Sequence, residues 1–368
     1  MEFFATAARG TEGVLLEELR ELGFGGLDLR GGGVKFEGEW VEAFRACLCS
    51  RIAMRILYPL TVFTAADERE LYEGVEALEW RRYLSERHTL MVTAVCRSSN
   101  LTHSHYIALK TKDGVVDKLR KELGARPSVS RDDPDVHIFV HLVKNRATIY
   151  LDLSGEPLHK RGWRLEGHIA PLKETLAAAM VRLSGWDKKG VLIDPMCGSG
   201  TIAIEAGLIA GKVAPGLFRK RFGFERWANH DSSQAAVAEL REKARAEIRQ
   251  TDSRIVASDI ECKAVEVARS NAERAGVRIE VKRASALDIK PCSPPAVIVT
   301  NPPYGRRSLS SAEFRRGLRK AFMRLKGHRI CFLLEKERRE EKILPIKPIA
   351  TYDLFNGDIE CGFYVFEV

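Results

Sequence analysis

The sequence predicts an α/β chain whose C-terminal half is a doubly wound, mainly parallel sheet and whose N-terminal half is α+β. Three observations support this class. The chain has 368 residues, which at roughly 150 residues per domain allows two or three domains. From residue 169 onward, short and wholly apolar segments such as 191–193 and 296–299 alternate with helical segments, which is typical of parallel strands buried on both faces. Before that point, helices alternate with strands joined by glycine-rich or polar turns.

The elements of the N-terminal half follow from hydrophobic spacing and turn residues. Leu15, Leu19 and Leu22 share one helical face, and Gly23 ends that helix. The same criteria predict helices at 12–22, 39–49, 71–78 and 105–123. Strands are predicted at 34–36, 52–63, 89–96, 136–143 and 148–153.

The C-terminal half is predicted to consist of repeated strand–helix units. Helices are expected at 172–183, 201–210 and 262–275, and strands at 191–193, 255–257, 296–299 and 329–334. The segments 351–355 and 360–368 flank Asn356-Gly357-Asp358, a turn typical of a hairpin. The hairpin adds an antiparallel edge to the sheet.

Composition excludes several classes of protein. Hydrophobic residues make up 45% and charged residues 30%, which excludes wholesale disorder and a collagen-like fibre. No apolar run approaches roughly 18 residues and no signal peptide is recognisable, so we expect a protein without a transmembrane helix. Eight cysteines without CxxC spacing indicate reduced thiols in the cytosol and no metal site. The net charge of +9 favours a polyanionic partner, although an ordinary basic enzyme can carry the same charge.

The first motif, Asp194-Pro195-Met196-Cys197-Gly198-Ser199-Gly200-Thr201, lies between a buried strand and a helix. Glycines allow the backbone close to a ligand, and the N–H groups of a helix start favour a carboxylate or phosphate. The absence of a lysine excludes a P-loop. A dinucleotide site fits poorly, because Asp259 lies 59 residues after Gly200 and the fingerprint expects an acid about 20 residues on. S-adenosylmethionine fits better, with Asp259 on its ribose hydroxyls, and a tight turn without any ligand is the remaining alternative.

The second motif, Thr300-Asn301-Pro302-Pro303-Tyr304-Gly305, ends the strand predicted at 296–299. Two consecutive prolines cannot extend a strand ladder, so the turn is rigid and fixes the Asn301 amide and the Pro302 carbonyl. Two acceptors on the hydrogens of an exocyclic amino group can hold its nitrogen pyramidal, with the lone pair aimed at a methyl group. Tyr304 offers a face on which a flipped base can stack. The motif therefore indicates methylation of an amino nitrogen, with a plain Asn-Pro loop as the alternative.

These two motifs together resemble those of amino-group methyltransferases with the class I, S-adenosylmethionine-dependent fold. The segment 169–179 is similar to the helix that closes over the cofactor in THUMP-domain methyltransferases, and 214–217 and 223–231 are similar to an insertion in the RlmL-type enzymes. The resemblance covers nearly the whole chain. It implies a ferredoxin-like domain at 1–62, a THUMP RNA-binding domain at 63–155, a linker at 156–168 and a Rossmann-like methyltransferase domain with a seven-stranded sheet at 169–368.

The resemblance also implies roles for individual residues. The catalytic positions are Asn301, Pro302, Pro303 and Tyr304. The cofactor-binding positions are Pro171, Glu174, Thr175, Asp194, Pro195, Cys197, Gly198, Ser199, Gly200, Thr201, Asp259, Ser285, Ala286 and Asn301. Ser285 stands where the family often has an acid that binds the adenine amino group, so either Ser285 or Asp288 is expected to make that contact.

Basic residues near the predicted site are candidates for contacts with RNA phosphates. They are Arg161, Arg164, Arg219, Lys220, Arg221, Arg306 and Arg307. Residues 306–329 contain nine lysines or arginines and one acid, which fits either a phosphate-contacting patch or a solvated helix face.

The RlmL-type enzymes methylate guanine N2 in large-subunit (23S) ribosomal RNA, so the resemblance implies this reaction, with S-adenosylmethionine as cofactor and RNA as partner. Some of them carry a second methyltransferase that makes 7-methylguanine. The present sequence ends before it, so only the guanine-N2 activity is expected. The alternatives are guanine-N2 methylation of transfer RNA, adenine-N6 methylation of DNA, and a non-catalytic RNA-binding assembly factor. We expect a cytoplasmic monomer without membrane contact.

Overall fold

The structure, a computed structural model, describes residues 1–164, 172–229, 233–302, 312–336 and 344–368. Its N-terminal half contains one eight-stranded sheet. The strands are β1 (Glu2–Thr6), β2 (Gly25–Arg30), β3 (Gly33–Glu37), β4 (Arg55–Thr64), β5 (Thr89–Arg97), β6 (Ser128–Val129), β7 (Val136–Val143) and β8 (Arg146–Asp152). The helices are α1 (Glu12–Glu21), α2 (Trp40–Cys49), α3 (Glu68–Glu76) and α4 (Ser104–Leu123).

Strand β4 joins the two N-terminal units into this single sheet, whose order is β2-β3-β1-β4-β8-β7-β5-β6. It pairs antiparallel with β1 on one side and with β8 on the other, and it spans the domain boundary expected at 62/63. The register between β4 and β8 shifts between Pro59 and Thr61. Proline has no N–H for the ladder, so inside a sheet it is tolerated at such an irregularity.

The C-terminal half contains the expected seven-stranded sheet. Its strands are β9 (Leu192–Asp194), β10 (Ile255–Asp259), β11 (Glu280–Arg283), β12 (Val297–Thr300), β13 (Arg329–Glu335), β14 (Ala350–Asn356) and β15 (Ile359–Glu367). The helices are α5 (Glu174–Leu183), α6 (Thr201–Ala210), α7 (Gln234–Ala246), α8 (Cys262–Arg274) and α9 (Ala312–Phe322). In the order β11-β10-β9-β12-β13-β15-β14 the first five strands are parallel, and β15 runs antiparallel to both neighbours. The doubly wound sheet with an antiparallel edge is thereby confirmed.

The two halves share one hydrophobic core. Much of the contact comes from the insertion before α7, where the Phe224 ring stacks on Phe44 of α2 with ring centroids 4.0 Å apart. A buried ion pair between Arg161 and Glu205 of α6 lies at the same interface, and Arg161 also donates to the Arg51 carbonyl at 2.6 Å. The N-terminal half is therefore held against the methyltransferase-like half by packed side chains. No helix in the described ranges has the length and apolarity needed to cross a membrane.

Candidate functional site

The candidate site lies where the parallel strands of the C-terminal sheet end. β9 ends at Asp194, β10 at Asp259 and β12 at Thr300, and these three strands are neighbours in the sheet. Because the carboxyl ends of parallel strands meet at one edge, the loops that follow them converge. The structure thus brings the start of the second sequence motif beside the first.

The loop between β9 and α6 turns at two glycines. Gly198 has a φ of +52° and Gly200 a φ of +82°, in the region that favours glycine. A Cβ on Gly200 would lie 3.1 Å from the Cβ of Ala268, so α8 packs closely against this position. A Cβ on Gly198 would meet no atom of the described residues within 4 Å. The loop is therefore open at Gly198, next to the N–H groups with which α6 begins.

Asp259 ties this loop to the neighbouring strand. The Gly198 N–H donates to its Oδ2 at 2.9 Å, and the Glu261 N–H donates to its Oδ1 at 3.0 Å. The Asp259 carbonyl also accepts from the Ala284 N–H at 3.0 Å. The carboxylate retains further lone pairs on the same oxygens for a ligand such as a ribose.

Asp194 connects the two motifs directly. Its side chain is buried, and its Oδ1 accepts from the Thr300 hydroxyl at 2.9 Å and from the Met196 N–H at 3.3 Å. Burial raises the pKa of Asp194 to about 7, and the nearby Asp259 carboxylate acts in the same direction. The position of the Asn301 turn is thereby linked to the position of the glycine loop.

Arg164 braces the glycine loop from the linker side. Its guanidinium donates to Ser199 Oγ and Thr201 Oγ1, each at 2.9 Å, to Glu174 Oε1 at 2.7 Å and to the Leu172 carbonyl at 3.1 Å. Glu174 is itself buried at the start of α5. Arg164, expected from the sequence to contact RNA, therefore contacts the proposed cofactor loop instead.

The start of α5 is also anchored to the N-terminal half. The Thr175 hydroxyl lies 3.2 Å from the sulfur of Met54, the residue before β4.

Cys197, in the glycine loop, is buried, and burial raises the pKa of its thiol. This environment suits a packing residue and disfavours a nucleophilic thiolate.

Ser285 and Ala286 follow β11 at the outer end of the same edge. The Ser285 hydroxyl accepts from the Leu287 N–H at 3.2 Å, Ala286 is buried and Asp288 is exposed. The choice between Ser285 and Asp288 as the adenine contact stays a prediction.

Of the four positions predicted to be catalytic, the structure describes two. Asn301 is half-buried and Pro302 buried, directly after β12. Pro303, Tyr304, Arg306, Arg307 and Pro171 lie outside the described residues.

Two of the arginines expected to contact RNA are inside the protein. Arg161 pairs with Glu205 and is 1% exposed. Arg219 is 8% exposed and donates to four backbone carbonyls, those of Ser154, Glu156, Pro157 and Lys160. Because both guanidinium groups already donate to partners inside the protein, we do not expect them to contact RNA.

Two other basic candidates lie on the surface. Lys220 and Arg221 are exposed, and Arg221 forms an ion pair with Asp133 of the N-terminal half. They remain accessible to a polyanion.

Asn271 and Thr300 contribute to the site in ways that sequence reasoning missed. Asn271 is fully buried in α8 and its amide donates to the Ser199 carbonyl at 3.0 Å. The signal in the sequence that could have identified Asn271 was a polar residue on the apolar face of a helix.

Within the described residues no cluster of three metal-ligating side chains occurs, and all eight cysteines are free.

Three family models match the chain in succession. The RlmL ferredoxin-like domain matches residues 2–57, the THUMP domain matches residues 65–152, and the RMKL-like methyltransferase domain of UPF0020 matches residues 161–364. The family resemblance and the fold class predicted from the sequence are confirmed.

Curated relatives match over the full length of the chain. The ribosomal RNA large subunit methyltransferase K/L of Methylococcus capsulatus is 40% identical, with 100% of this chain and 51% of that protein covered. The protein of the same name from Syntrophotalea carbinolica is 37% identical, with 100% and 54% covered. The chain therefore spans about half the length of the curated relatives it matches.

Solved structures match both halves together. SMU.472, crystallised as a complex with SAH, has a TM-score of 0.87 at 32% identity and covers 100% of this chain and 97% of its own. A Listeria monocytogenes protein described as a predicted N6-adenine-specific DNA methylase has a TM-score of 0.86 at 30% identity, with 99% and 95% covered. TrmN from Thermus thermophilus has a TM-score of 0.69 at 22% identity, covers 100% and 99%, and shares the fold.

Proposed function

We propose that this chain, which belongs to the UPF0020 family of RMKL-like methyltransferases, transfers a methyl group from S-adenosylmethionine to the N2 amino group of a guanine in large-subunit ribosomal RNA. The observation that carries the proposal is the hydrogen bond from Thr300 to Asp194, which joins the glycine loop to the Asn301 turn. A cofactor loop and a pair of amino-group acceptors are thus held in one arrangement.

The residues present fit this cofactor. The open side of Gly198 and the N–H groups at the start of α6 suit the carboxylate of its amino-acid end, and Asp259 suits its ribose hydroxyls. When bound, S-adenosylmethionine supplies an electrophilic methyl group on a sulfonium.

The chain's own part in the reaction is positioning and charge stabilisation. The Asn301 side-chain oxygen and the Pro302 carbonyl accept the two hydrogens of the guanine amino group, which turns its lone pair toward the methyl group. Positive charge that develops on this nitrogen is stabilised by the same two acceptors. No strong base has to act first, because the methylated product nitrogen is acidic and loses its proton afterwards.

The N-terminal half supports RNA over DNA as the substrate. Its THUMP and ferredoxin-like matches account for about 150 residues that a minimal DNA methylase would not need. The names of the curated relatives, which cover ribosomal RNA methylation, support the large subunit as the source of that RNA.

Replacing Asn301 tests the mechanism. We expect Asn301→Ala to lower kcat by about 100-fold or more, because it removes one of two acceptors that act in the transition state, while the Kd for S-adenosylmethionine stays within about threefold. The measurements are steady-state methyl transfer into ribosomal RNA and calorimetric cofactor binding. Gln250→Ala, which removes an exposed amide elsewhere, is the matched control. Unchanged turnover in Asn301→Ala would exclude this role.

A further inference from the structure

A cavity of about 280 Å³ lies between the two halves, outside the site described above. Its walls come from the loop after β1, the start of β4, strand β7, the start of α5 and the hairpin between β14 and β15. The basic and aromatic residues among its lining are Arg9, Arg55, Phe139, Lys173 and Phe355. None of the residues assigned above to the cofactor or to catalysis lines the cavity among the described residues.

The cavity is a built feature of the interface. Gly10 has a φ of +88°, and a Cβ on it would lie 2.1 Å from the Asp353 carbonyl oxygen of β14. The loop after β1 therefore approaches the methyltransferase sheet so closely that only glycine fits. The Arg9 guanidinium lies over the Phe355 ring, 4.2 Å from its centroid, and is held there by a cation–π contact.

The chemistry of the walls suits a nucleotide. Arg9, Arg55 and Lys173 are basic, and the described lining contains no acidic side chain. Phe139 and Phe355 provide aromatic surface, and unpaired bases stack on aromatic rings and on arginine planes. Arg55 makes its hydrogen bonds with described residues through Nη1, to Asp152, His137 and the Gly155 carbonyl. These contacts fix the position of Arg55 in the cavity wall.

The volume of the cavity indicates one nucleotide, and its location indicates the same edge of the sheet as the target. Small-molecule pockets occupy roughly 300–1,000 Å³, so this cavity admits a single base or nucleoside. Phe355 and Gly357 lie at the carboxyl end of β14, the same sheet edge as Asn301. Three strand spacings of about 4.8 Å separate β12 from β14, so the β14 wall of the cavity lies roughly 14 Å across the sheet from the strand that carries the Asn301 turn.

We infer that this cavity binds an unpaired nucleotide of the RNA substrate, with its base against Arg9 and the aromatic rings and its phosphate near Lys173. This nucleotide lies in the same strand as the guanine that is methylated but is not adjacent to it. The inference rests on the proposed function and specifies how the substrate strand is held. A free nucleoside monophosphate has the same chemistry, so the test includes both.

The primary test is the affinity for a short, fluorescently labelled single-stranded RNA from the large subunit, measured by anisotropy. We expect Arg9→Ala and Phe355→Leu each to raise the Kd about tenfold, the range expected for loss of base stacking. Arg245→Ala removes one exposed positive charge on α7 and is expected to bind like the wild type. Unchanged affinity in both cavity variants would overturn the inference. Arg9 is exposed on a loop, so Arg9→Ala decides the outcome if Phe355→Leu does not fold.

Kinetics and salt dependence separate this site from the catalytic pocket. We expect Arg9→Ala to raise the KM for RNA with kcat within about twofold of wild type, and a fall in kcat at constant KM would overturn the inference. Lys173→Gln is expected to reduce the slope of log Kd against log salt by about 0.7, the value for one phosphate of a single strand. If the wild type binds guanosine monophosphate tightly and the cavity variants bind RNA normally, the cavity is a site for a free nucleotide instead. Wild-type protein that binds RNA without methylating it would contradict the proposed function and leave the binding test intact.

Discussion

Asp194 connects the glycine loop to the turn that begins at Thr300 and Asn301. It is buried and accepts from Thr300, and burial raises its pKa to about 7. In the unfolded chain the same carboxyl titrates near its ordinary value of about 4. The folded state therefore holds a proton on this group over a pH range in which the unfolded chain has lost it.

This difference predicts a pH dependence of stability. Because the pKa of Asp194 is raised in the folded state, its contribution to the free energy of unfolding is greatest below about pH 4. That contribution is lost progressively as pH rises through about 7. We expect Asp194→Asn, which resembles the protonated form, to lose less stability than the wild type between pH 4 and pH 8. Urea unfolding of both proteins across this range gives the comparison. Wild-type and variant curves that run parallel would show that Asp194 does not titrate in this way.

Arg164 was expected to contact RNA and is found on the cofactor loop. Its four partners are Ser199, Thr201, Glu174 and the Leu172 carbonyl. The residue type identified Arg164 as a strong hydrogen-bond donor, but the sequence could not show which part of the protein its side chain contacts. Arg161 and Arg219 illustrate the same limit, because a basic residue can donate to groups within an interface as readily as it can bind a phosphate.

The contacts of Arg164 predict a selective loss of cofactor affinity. We expect Arg164→Ala to raise the Kd for S-adenosylmethionine about tenfold or more, because the loop loses two hydroxyl contacts and Glu174 loses its charged partner. The affinity for RNA should stay within about threefold. Calorimetry with the cofactor and anisotropy with RNA measure the two effects. The opposite pattern, weakened RNA binding with normal cofactor binding, would support the original expectation.

At the scale of elements, the C-terminal sheet shows how much of the fold was predictable. Strands β9, β10 and β12 were located because the predicted segments 191–193, 255–257 and 296–299 are uniformly apolar. Their carboxyl ends then placed Asp194, Asp259 and Asn301 on one edge. The edge strands β2 and β11 were not located. They are short and largely exposed, β2 opens with two glycines, and β11 has a single apolar residue among charged ones, so neither carries an apolar run long enough to predict a strand.

The close approach of two loops at the interface gives a prediction for an element. A Cβ on Gly223 would lie 2.7 Å from the Gly155 nitrogen and 3.0 Å from the Asp152 carbonyl oxygen, and backbone atoms cannot move aside cheaply. We expect Gly223→Ala to lower the free energy of unfolding by about 1–3 kcal/mol, the usual cost of overpacking. Gly13 in α1 has no described atom within 4 Å of a Cβ, so Gly13→Ala should raise stability by up to about 1 kcal/mol. Denaturant unfolding of the two variants tests both signs, and equal effects would contradict the packing at Gly223.

At the scale of the whole molecule, buried polar and aromatic contacts join the two halves at one interface. Arg161 and Arg51 of the linker and N-terminal half approach Glu205 of α6, and burial raises the pKa of Glu205 while the Arg161 charge opposes that shift. Phe44 and Phe224 stack across the same boundary. An RNA held by the N-terminal half would therefore be presented to the Asn301 edge in a fixed orientation. The domain order was predictable from the family resemblance, but the continuous sheet through β4 was not, because pairing partners of a strand are not encoded in its own sequence.

The most direct test of the central claim is the identity of the methylated nucleoside. Purified protein would be incubated with labelled S-adenosylmethionine in two separate reactions, one with unmodified large-subunit ribosomal RNA and one with unmodified transfer RNA. The nucleosides of each RNA would then be analysed. We expect N2-methylguanosine in the large-subunit RNA and none in the transfer RNA. Label in transfer RNA alone would retain the chemistry and contradict the substrate, and methylated adenine in either RNA would contradict the assignment of guanine N2.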